Sequence, residues 1–201
     1  TTAVDALRWL PLHTIRGQTT LLPGAAYSST LRAALCHEGC IAPARDGKHC
    51  IGATFEIGAA DPAAKESDNR DNVQKLAGAV PAWKEALATL DPAQLASRVG
   101  FRCASPDYLP VIGPVPDYDA FLADYAVLRR NARFATATRG RYLPGLYVCA
   151  AHGSRGLTST PLAAELIASM MCAEPLPVSR ALARALSPAR FIIRGLSRNR
   201  I

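Results

Sequence analysis

None of the 14 glycines stands one residue away from another, so the chain has no Gly-x-Gly turn and carries no dinucleotide-binding fingerprint of its own. No Lys follows Gly156 in His152-Gly153-Ser154-Arg155-Gly156, which excludes a phosphate-binding P-loop. Lys is absent from residues 126–201, where only Glu165 and Glu174 oppose twelve Arg. No apolar run is long enough for a bilayer: the most hydrophobic stretch, around Leu162 to Cys172, is short and interrupted by Glu165. There is no internal repeat. The opening Thr1-Thr2-Ala3-Val4-Asp5 offers no initiator Met, basic leader or cleavage signature, and the chain reads as a piece of something longer.

Six cysteines (Cys36, Cys40, Cys50, Cys103, Cys149 and Cys172) lack the dense, regular spacing of a secreted disulfide scaffold and read as reduced core thiols. Cys36-His37 with Cys40, and His49-Cys50 nearby, offer metal-ligand chemistry without the two tight ligand couples of a structural zinc site, so no metal is expected. His13, His37 and His49 read as structural or surface residues. A hydrophobic share of 49% with 19% charged residues describes a globular chain with a packed core rather than a disordered one.

What is present is most distinctive at Gly145 to Met171. An apolar run ends in the loop His152 to Gly156 and passes into a helix: strand, glycine turn, helix. The glycines allow close approach of a ligand, and the free N–H groups of a helix start favour negative charge. An ordinary turn in a folded core is the alternative. The charge distribution adds a second signal. Residues 1–125 carry −3 and residues 126–201 carry +10, giving the net +7. An all-Arg basic half, from Arg129, Arg130, Arg133, Arg139 and Arg141 to Arg180, Arg184, Arg190, Arg194, Arg198 and Arg200, suits a phosphate-backbone surface; a solvated basic face is the alternative.

The remaining pattern predicts mixed α and β structure. Leu10 to Gln18, Leu31 to His37, Cys50 to Ile57 and Arg98 to Cys103 read as strands of an antiparallel sheet. Helical spacing appears after Ser67-Asp68-Asn69 (Val73, Leu76, Ala77, Val80) and after Pro81 (Trp83, Ala86, Leu87, Leu90). Asp117 or Asp119 caps a third helix with Phe121, Leu122, Tyr125 and Leu128 buried. Arg129 to Tyr142 reads as a basic loop, Ser179 to Leu186 as a short helix stopped by Pro188, and the rest as a basic tail. Within Arg98-Val99-Gly100-Phe101-Arg102-Cys103-Ala104-Ser105-Pro106-Asp107, a strand delivers Arg102 into a proline-stiffened turn. A guanidinium on a rigid element suits bidentate capture of a carboxylate; a structural pair with Asp107 is the alternative.

Taken together, Gly100-Phe101-Arg102 through Asp107, Pro110, Ile112 and Gly113, and His152-Gly153-Ser154-Arg155-Gly156 through Pro161, resemble the D-amino-acid oxidase and glycine oxidase flavoprotein superfamily. Arg16-Gly17-Gln18, Cys50-Ile51-Gly52-Ala53-Thr54, Val115-Pro116-Asp117-Tyr118 and Glu174-Pro175-Leu176-Pro177 narrow the likeness to the C-terminal oxidoreductase half of the bifunctional proteins that build 5-methylaminomethyl-2-thiouridine in tRNA. The resemblance implies an α+β fold: an antiparallel-sheet substrate domain with helices on one face, plus the C-terminal strand and helix of an FAD-binding domain. Its expected bounds are 1–12 for the end of the FAD-binding domain, 13–135 for the sheet domain, 136–175 for the strand, loop and helix, and 176–201 for the basic tail.

The same resemblance implies FAD-dependent removal of the carboxymethyl group from 5-carboxymethylaminomethyl uridine at the tRNA wobble position, in the cytoplasm. Arg102 matches the residue that grips the substrate carboxylate and is the candidate catalytic residue. Gly153, Ser154, Arg155, Gly156 and Leu157 match the loop facing the flavin, and Arg16, Gly17 and Gln18 match the strand that enters the substrate domain near it. Cys40 stands where an aromatic residue is expected. The FAD fingerprint and the S-adenosylmethionine-dependent methyltransferase domain are expected before Thr1, so the fragment itself should bind little or no flavin and be inactive. A small-molecule amine or amino-acid oxidase of the same superfamily and a non-enzymatic RNA-contacting module are the competing readings.

Overall fold

The fold is taken from a computed structural model, which describes residues 4–134 and 137–201. Thr1 to Ala3, and the expected domain boundary at 135/136, lie outside the described residues. The chain divides into two compact units, one made of Thr14–Arg102 and the other of Thr1–His13 with Cys103–Ile201. Residues 103–134, grouped with the sheet domain in the sequence reading, thus cluster with the C-terminal segment.

The first unit is built around the strand β1 (His13–Pro23). The short strands β2 (Leu35–Cys36), β3 (Cys40–Ile41), β4 (Lys48–Ile51) and β5 (Glu56–Ile57) follow, then the helices α1 (Glu66–Ala79) and α2 (Lys84–Ala88) and the strand β6 (Ser97–Ala104). The sheet order is β2-β3-β4-β1-β5, with β6 on β1. One partner edge of β1 is shared: its first half pairs β5 through Ile15↔Ile57, its second half β4 through Thr20↔Ile51 to Pro23↔Lys48. The expected single strand from Cys50 to Ile57 is therefore broken, because Gly52 at φ +58° turns the chain.

Strand alternation gives the sheet two unlike faces. On one, Leu22, Ile41 and Ile51 pack against Val73, Leu76 and Leu87 of α1 and α2, forming the apolar core. Also beneath α1 lies a polar layer, with Arg16, Gln18, Thr20, Asp68, Asn69 and Asn72 all buried. Arg16 donates to Asp68 at 2.6 Å and to the carbonyls of Asp61 and Ala63 at 2.8 and 2.6 Å. Gln18 Nε2 donates to the Lys65 carbonyl and Asn69 Oδ1, and the Lys65 N–H donates to Gln18 Oε1 at 2.8 Å. The layer ties the start of α1 to the centre of β1.

The second unit contains β7 (Val111–Pro116), α3 (Tyr118–Asp124), β8 (Tyr142–Ala150), α4 (Gly156–Met171), α5 (Arg180–Leu186) and α6 (Ala189–Ser197). Antiparallel β7 and β8 run from Val111↔Ala150 to Pro116↔Tyr142. Asp117 caps α3, its carboxylate accepting the Ala120 N–H at 3.1 Å. Ile112 packs against Ala163 and Leu166 of α4 and Ala183 and Leu186 of α5. The expected basic tail contains the helix α6: Pro188, expected to stop a helix, stands at the start of this one, and Ile192 and Leu196 bury a stripe against Phe121 and Leu128. Among the described residues no helix is long and apolar enough to cross a membrane.

Candidate active site

In the first unit the site is the sheet face opposite the helices. Gly17, Thr19 and Leu21 of β1, Cys50 of β4 and Arg98, Gly100, Phe101 and Arg102 of β6 line an open cavity of about 580 Å³. Arg102 lies across Gly17: a Cβ built at position 17 would collide with the Arg102 guanidinium and with the Thr54 carbonyl. Glycine at 17 is therefore a space requirement. The Arg102 Nη1 nitrogen is buried and has no hydrogen-bond partner among the described residues. A buried guanidinium nitrogen left unpaired costs several kcal/mol in principle, and an anionic ligand oxygen removes that cost. A Gly17→Ala variant is expected to lower stability, because the Thr54 main chain must give way, and to weaken carboxylate binding about tenfold or more, because the displaced fork loses one charge-assisted bond; thermal unfolding together with isothermal calorimetry of the intact protein with an N-carboxymethyl amine reads both.

The structural alternative for Arg102 was a pair with Asp107. Asp107 is engaged elsewhere, within the second unit. Arg190 grips it through Nε and Nη2 at 3.1 and 3.0 Å, and Arg194 Nη1 adds a bond of 2.9 Å. Burial alone would push this carboxyl up; the bonds from Arg190, Ser105 and Arg194 outweigh it and hold the carboxyl well below the usual carboxylate range.

Arg16 and Gln18 turn away from the cavity. Arg16 is wholly buried in the polar layer, and the Gln18 main chain exchanges bonds with Thr54 and Asn72. Of this triplet, Gly17 alone lines the open face. Arg98, which sequence reasoning noted only as the start of a strand, lines the cavity with Arg102; the signal was there in the i, i+4 spacing, which places two alternating positions of a strand on one face.

The second unit carries the glycine loop. After β8, Ala151 and Gly153 both take positive φ, +60° and +55°, and a single 3-10 turn, Gly153–Arg155, leads into α4. Among the described residues no side chain caps α4, and the Arg155 N–H is taken by the His152 carbonyl at 3.1 Å within the 3-10 turn; the helix start still favours an anion through its dipole. Gly153, Ser154 and Arg155, with Ala104, Tyr108, Ala151 and His152, line a small cleft of about 160 Å³. His152 Nδ1 lies 2.8 Å from Ser159 Oγ, and its Nε2 3.4 Å from Cys149 Sγ. Ser159 donates its proton to the Arg155 carbonyl, so the imidazole donates from Nδ1 and accepts at Nε2. Burial lowers His152 and raises Cys149, keeping both neutral. Leu157, in the first turn of α4, is 98% exposed. A main-chain cradle beside an open apolar side chain fits the polar edge and the ring face of a flavin.

The six cysteines are all exposed rather than in the core. For Cys40 and Cys50 strand alternation explains it: each stands beside a buried residue, Ile41 or Ile51, that fills the other face, and Cys36 pairs Cys40. His49 is buried on that inner side, bonded to the Ala42 carbonyl and Ser28 Oγ. Among the described residues no His, Cys, Asp and Glu side chains gather into a metal-binding group. The basic half is also divided. Arg190 and Arg194 hold Asp107, Arg141 forms a two-bond pair with Asp124 at 2.9 Å, and Arg129 donates to the Ile201 carbonyl. Arg130, Arg133, Arg139, Arg180, Arg184, Arg198 and Arg200 are exposed.

Comparison with known proteins agrees with this fold. The chain is 46% identical over 205 residues to the tRNA 5-methylaminomethyl-2-thiouridine biosynthesis bifunctional protein MnmC of Pseudomonas putida F1, covering 98% of this chain and 31% of the relative. The protein of the same name from Chromobacterium violaceum is 43% identical over all of this chain and 30% of its own length. The chain thus spans about a third of the length of the curated relatives it matches. Among solved structures, glycine oxidase from Geobacillus kaustophilus superposes with a TM-score of 0.63 at 21% identity, over 90% of this chain and 40% of that one. Iminodiacetate oxidase from Chelativorans sp. BNC1 gives 0.58 at 21% identity, over 89% and 40%. Residues 2–170 match the family model described as FAD dependent oxidoreductase, and the chain belongs to that family.

Proposed function

We propose that the protein of which this chain forms part removes the carboxymethyl group from 5-carboxymethylaminomethyl uridine at the tRNA wobble position. The observation that carries this reading is the buried, unpartnered Nη1 of Arg102 on the floor of an open cavity. Arg102 holds the substrate carboxylate, and by fixing it fixes the adjacent CH2 and amine. FAD, when bound, would supply the acceptor for a hydride from that CH2. The product imine is hydrolysed by water to the aminomethyl nucleoside and glyoxylate. On the protein side, the Gly153 to Leu157 segment would hold the flavin, its helix start favouring negative charge there. Gly17 contributes by leaving room for Arg102.

The exposed arginines of the C-terminal half are proposed to contact the tRNA backbone, with Arg141, Arg190 and Arg194 set apart as structural. Such a substrate places the work in the cytoplasm, alongside the further domains of the longer relatives. The complete protein, loaded with FAD, is expected to bleach its flavin absorbance under anaerobic conditions on mixing with tRNA carrying the carboxymethylaminomethyl group. Bleaching by sarcosine or glycine with none by that tRNA would support a small-molecule oxidase instead. Salt-dependent tRNA binding with no bleaching would favour an RNA-contacting module.

A further inference from the structure

We infer that Arg98 is a specificity-determining residue which grips a phosphate of the nucleotide carrying the carboxymethyl amine; the inference rests on the tRNA reading above. Strand β6 sets Arg98 and Arg102 at i and i+4, two repeats of the pleat, on the open face of the sheet. Their Cα atoms are about 13 Å apart along an extended strand. Gly100 stands between them, and the space its side chain would fill is open. Both arginines line the same cavity, together with Thr19, Leu21 and Phe101, the last 45% exposed. Among the described residues no acid pairs with either guanidinium, whereas Arg16, Lys65, Arg70 and Lys75 of this unit have carboxylate partners.

Two unpaired cations on one cavity wall describe a ligand with two anionic groups. A free amino acid brings one carboxylate and satisfies Arg102 alone. A modified uridine within a nucleic acid brings the carboxylate, the base and a phosphodiester, and satisfies both. Arg98 is exposed and makes no side-chain bond that the fold depends on, so its removal leaves the protein folded.

The test compares two substrates of the complete, FAD-loaded protein: an anticodon stem–loop bearing the modified uridine, and the modified nucleoside without phosphate. In R98A the KM for the stem–loop is expected to rise about tenfold or more with kcat unchanged, the loss of one charge-assisted bond. Stem–loop binding should fall, and log K should depend on log salt with a slope flatter by about one. R98K, which keeps the charge, should recover part of the loss, and turnover of the nucleoside should match wild type in both variants. Equal turnover of the stem–loop by wild type and R98A overturns the assignment alone. Equal loss on both substrates also overturns it, since a phosphate grip leaves the nucleoside unaffected. A wild-type protein inert on the stem–loop overturns the tRNA reading, and the Arg98 assignment with it.

Discussion

Replacing Arg102 by Ala in the complete protein is expected to lower kcat/KM on the carboxymethylaminomethyl substrate by about 100- to 1,000-fold, the size of losing one partner of a desolvated, hydrogen-bonded charge pair. Sequence and structure reach this through different steps. Arg102 sits on a β-strand, so its Cα is rigid; it lies over a glycine that has no side chain to displace it; and one of its nitrogens is buried without a partner. The residue that could have satisfied it in a purely structural role, Asp107, is already gripped by Arg190 and Arg194. R102K keeps a positive charge but not the planar fork, and should fall between wild type and R102A. A substrate analogue lacking the carboxylate should be turned over equally by wild type and R102A. Equal loss on both substrates would show that Arg102 acts on the fold and not on the carboxylate.

The second large effect concerns stability. D107A leaves the Arg190 guanidinium buried and without its carboxylate, at a cost of about 3 kcal/mol, which lowers the unfolding midpoint of a protein this size by about 10 °C. Arg190 has a side chain only 6% exposed, and it also donates to the Leu186 and Leu109 carbonyls, so it joins α5, α6 and the turn before β7. The pH dependence follows from the direction of the Asp107 shift. Its carboxyl is held low in the folded protein, so the stability it adds is fully present above the unfolded value of about 4. That stability drains away as pH falls from there toward the folded value. Thermal unfolding of wild type and D107A should therefore show a wide gap at pH 7 that narrows below pH 4. A gap independent of pH would mean that the ion pair is not its source.

The types of several elements, though not their lengths, were legible because local chemistry dictates them. Asp117 caps a helix, Val73 and Leu76 repeat at helical spacing, and the run from Gly145 into His152 to Gly156 makes strand, turn and helix. What could not be read depended on partners distant in the chain. Arg16 looks the same in sequence whether it faces a cofactor or Asp68; only the pairing of β1 with its neighbours, which sets odd positions on the open face and even positions beneath α1, decides it. The cysteines were placed in the core for a similar reason. Cys40 and Cys50 each precede a buried Ile, and alternation exposes the residue beside the buried one. Pro188 and the dense Arg spacing hid α6, whose stripe of Ile192 and Leu196 needed the third helix as its counterpart. β7 was missed as well: with Pro114 and Pro116 in six residues it reads as a rigid turn, and it is tolerated as a strand because it belongs to a two-stranded pair.

At the candidate site, Arg102 could be singled out from its setting in the sequence, while the reason for Gly17 and the position of Arg98 could not. Both depend on β1 and β6 lying side by side, a contact between residues some 80 positions apart that no local pattern encodes.

The most direct test is nucleoside mass spectrometry of tRNA from cells whose only copy of the complete gene encodes wild type or R102A. Wild type should leave the wobble uridine converted past the carboxymethylaminomethyl form, whereas R102A should accumulate that form to the level of a gene deletion while the protein itself remains folded and FAD-loaded. Full conversion in the R102A strain, or no carboxymethylaminomethyl accumulation in the deletion, would contradict a carboxylate clamp at Arg102.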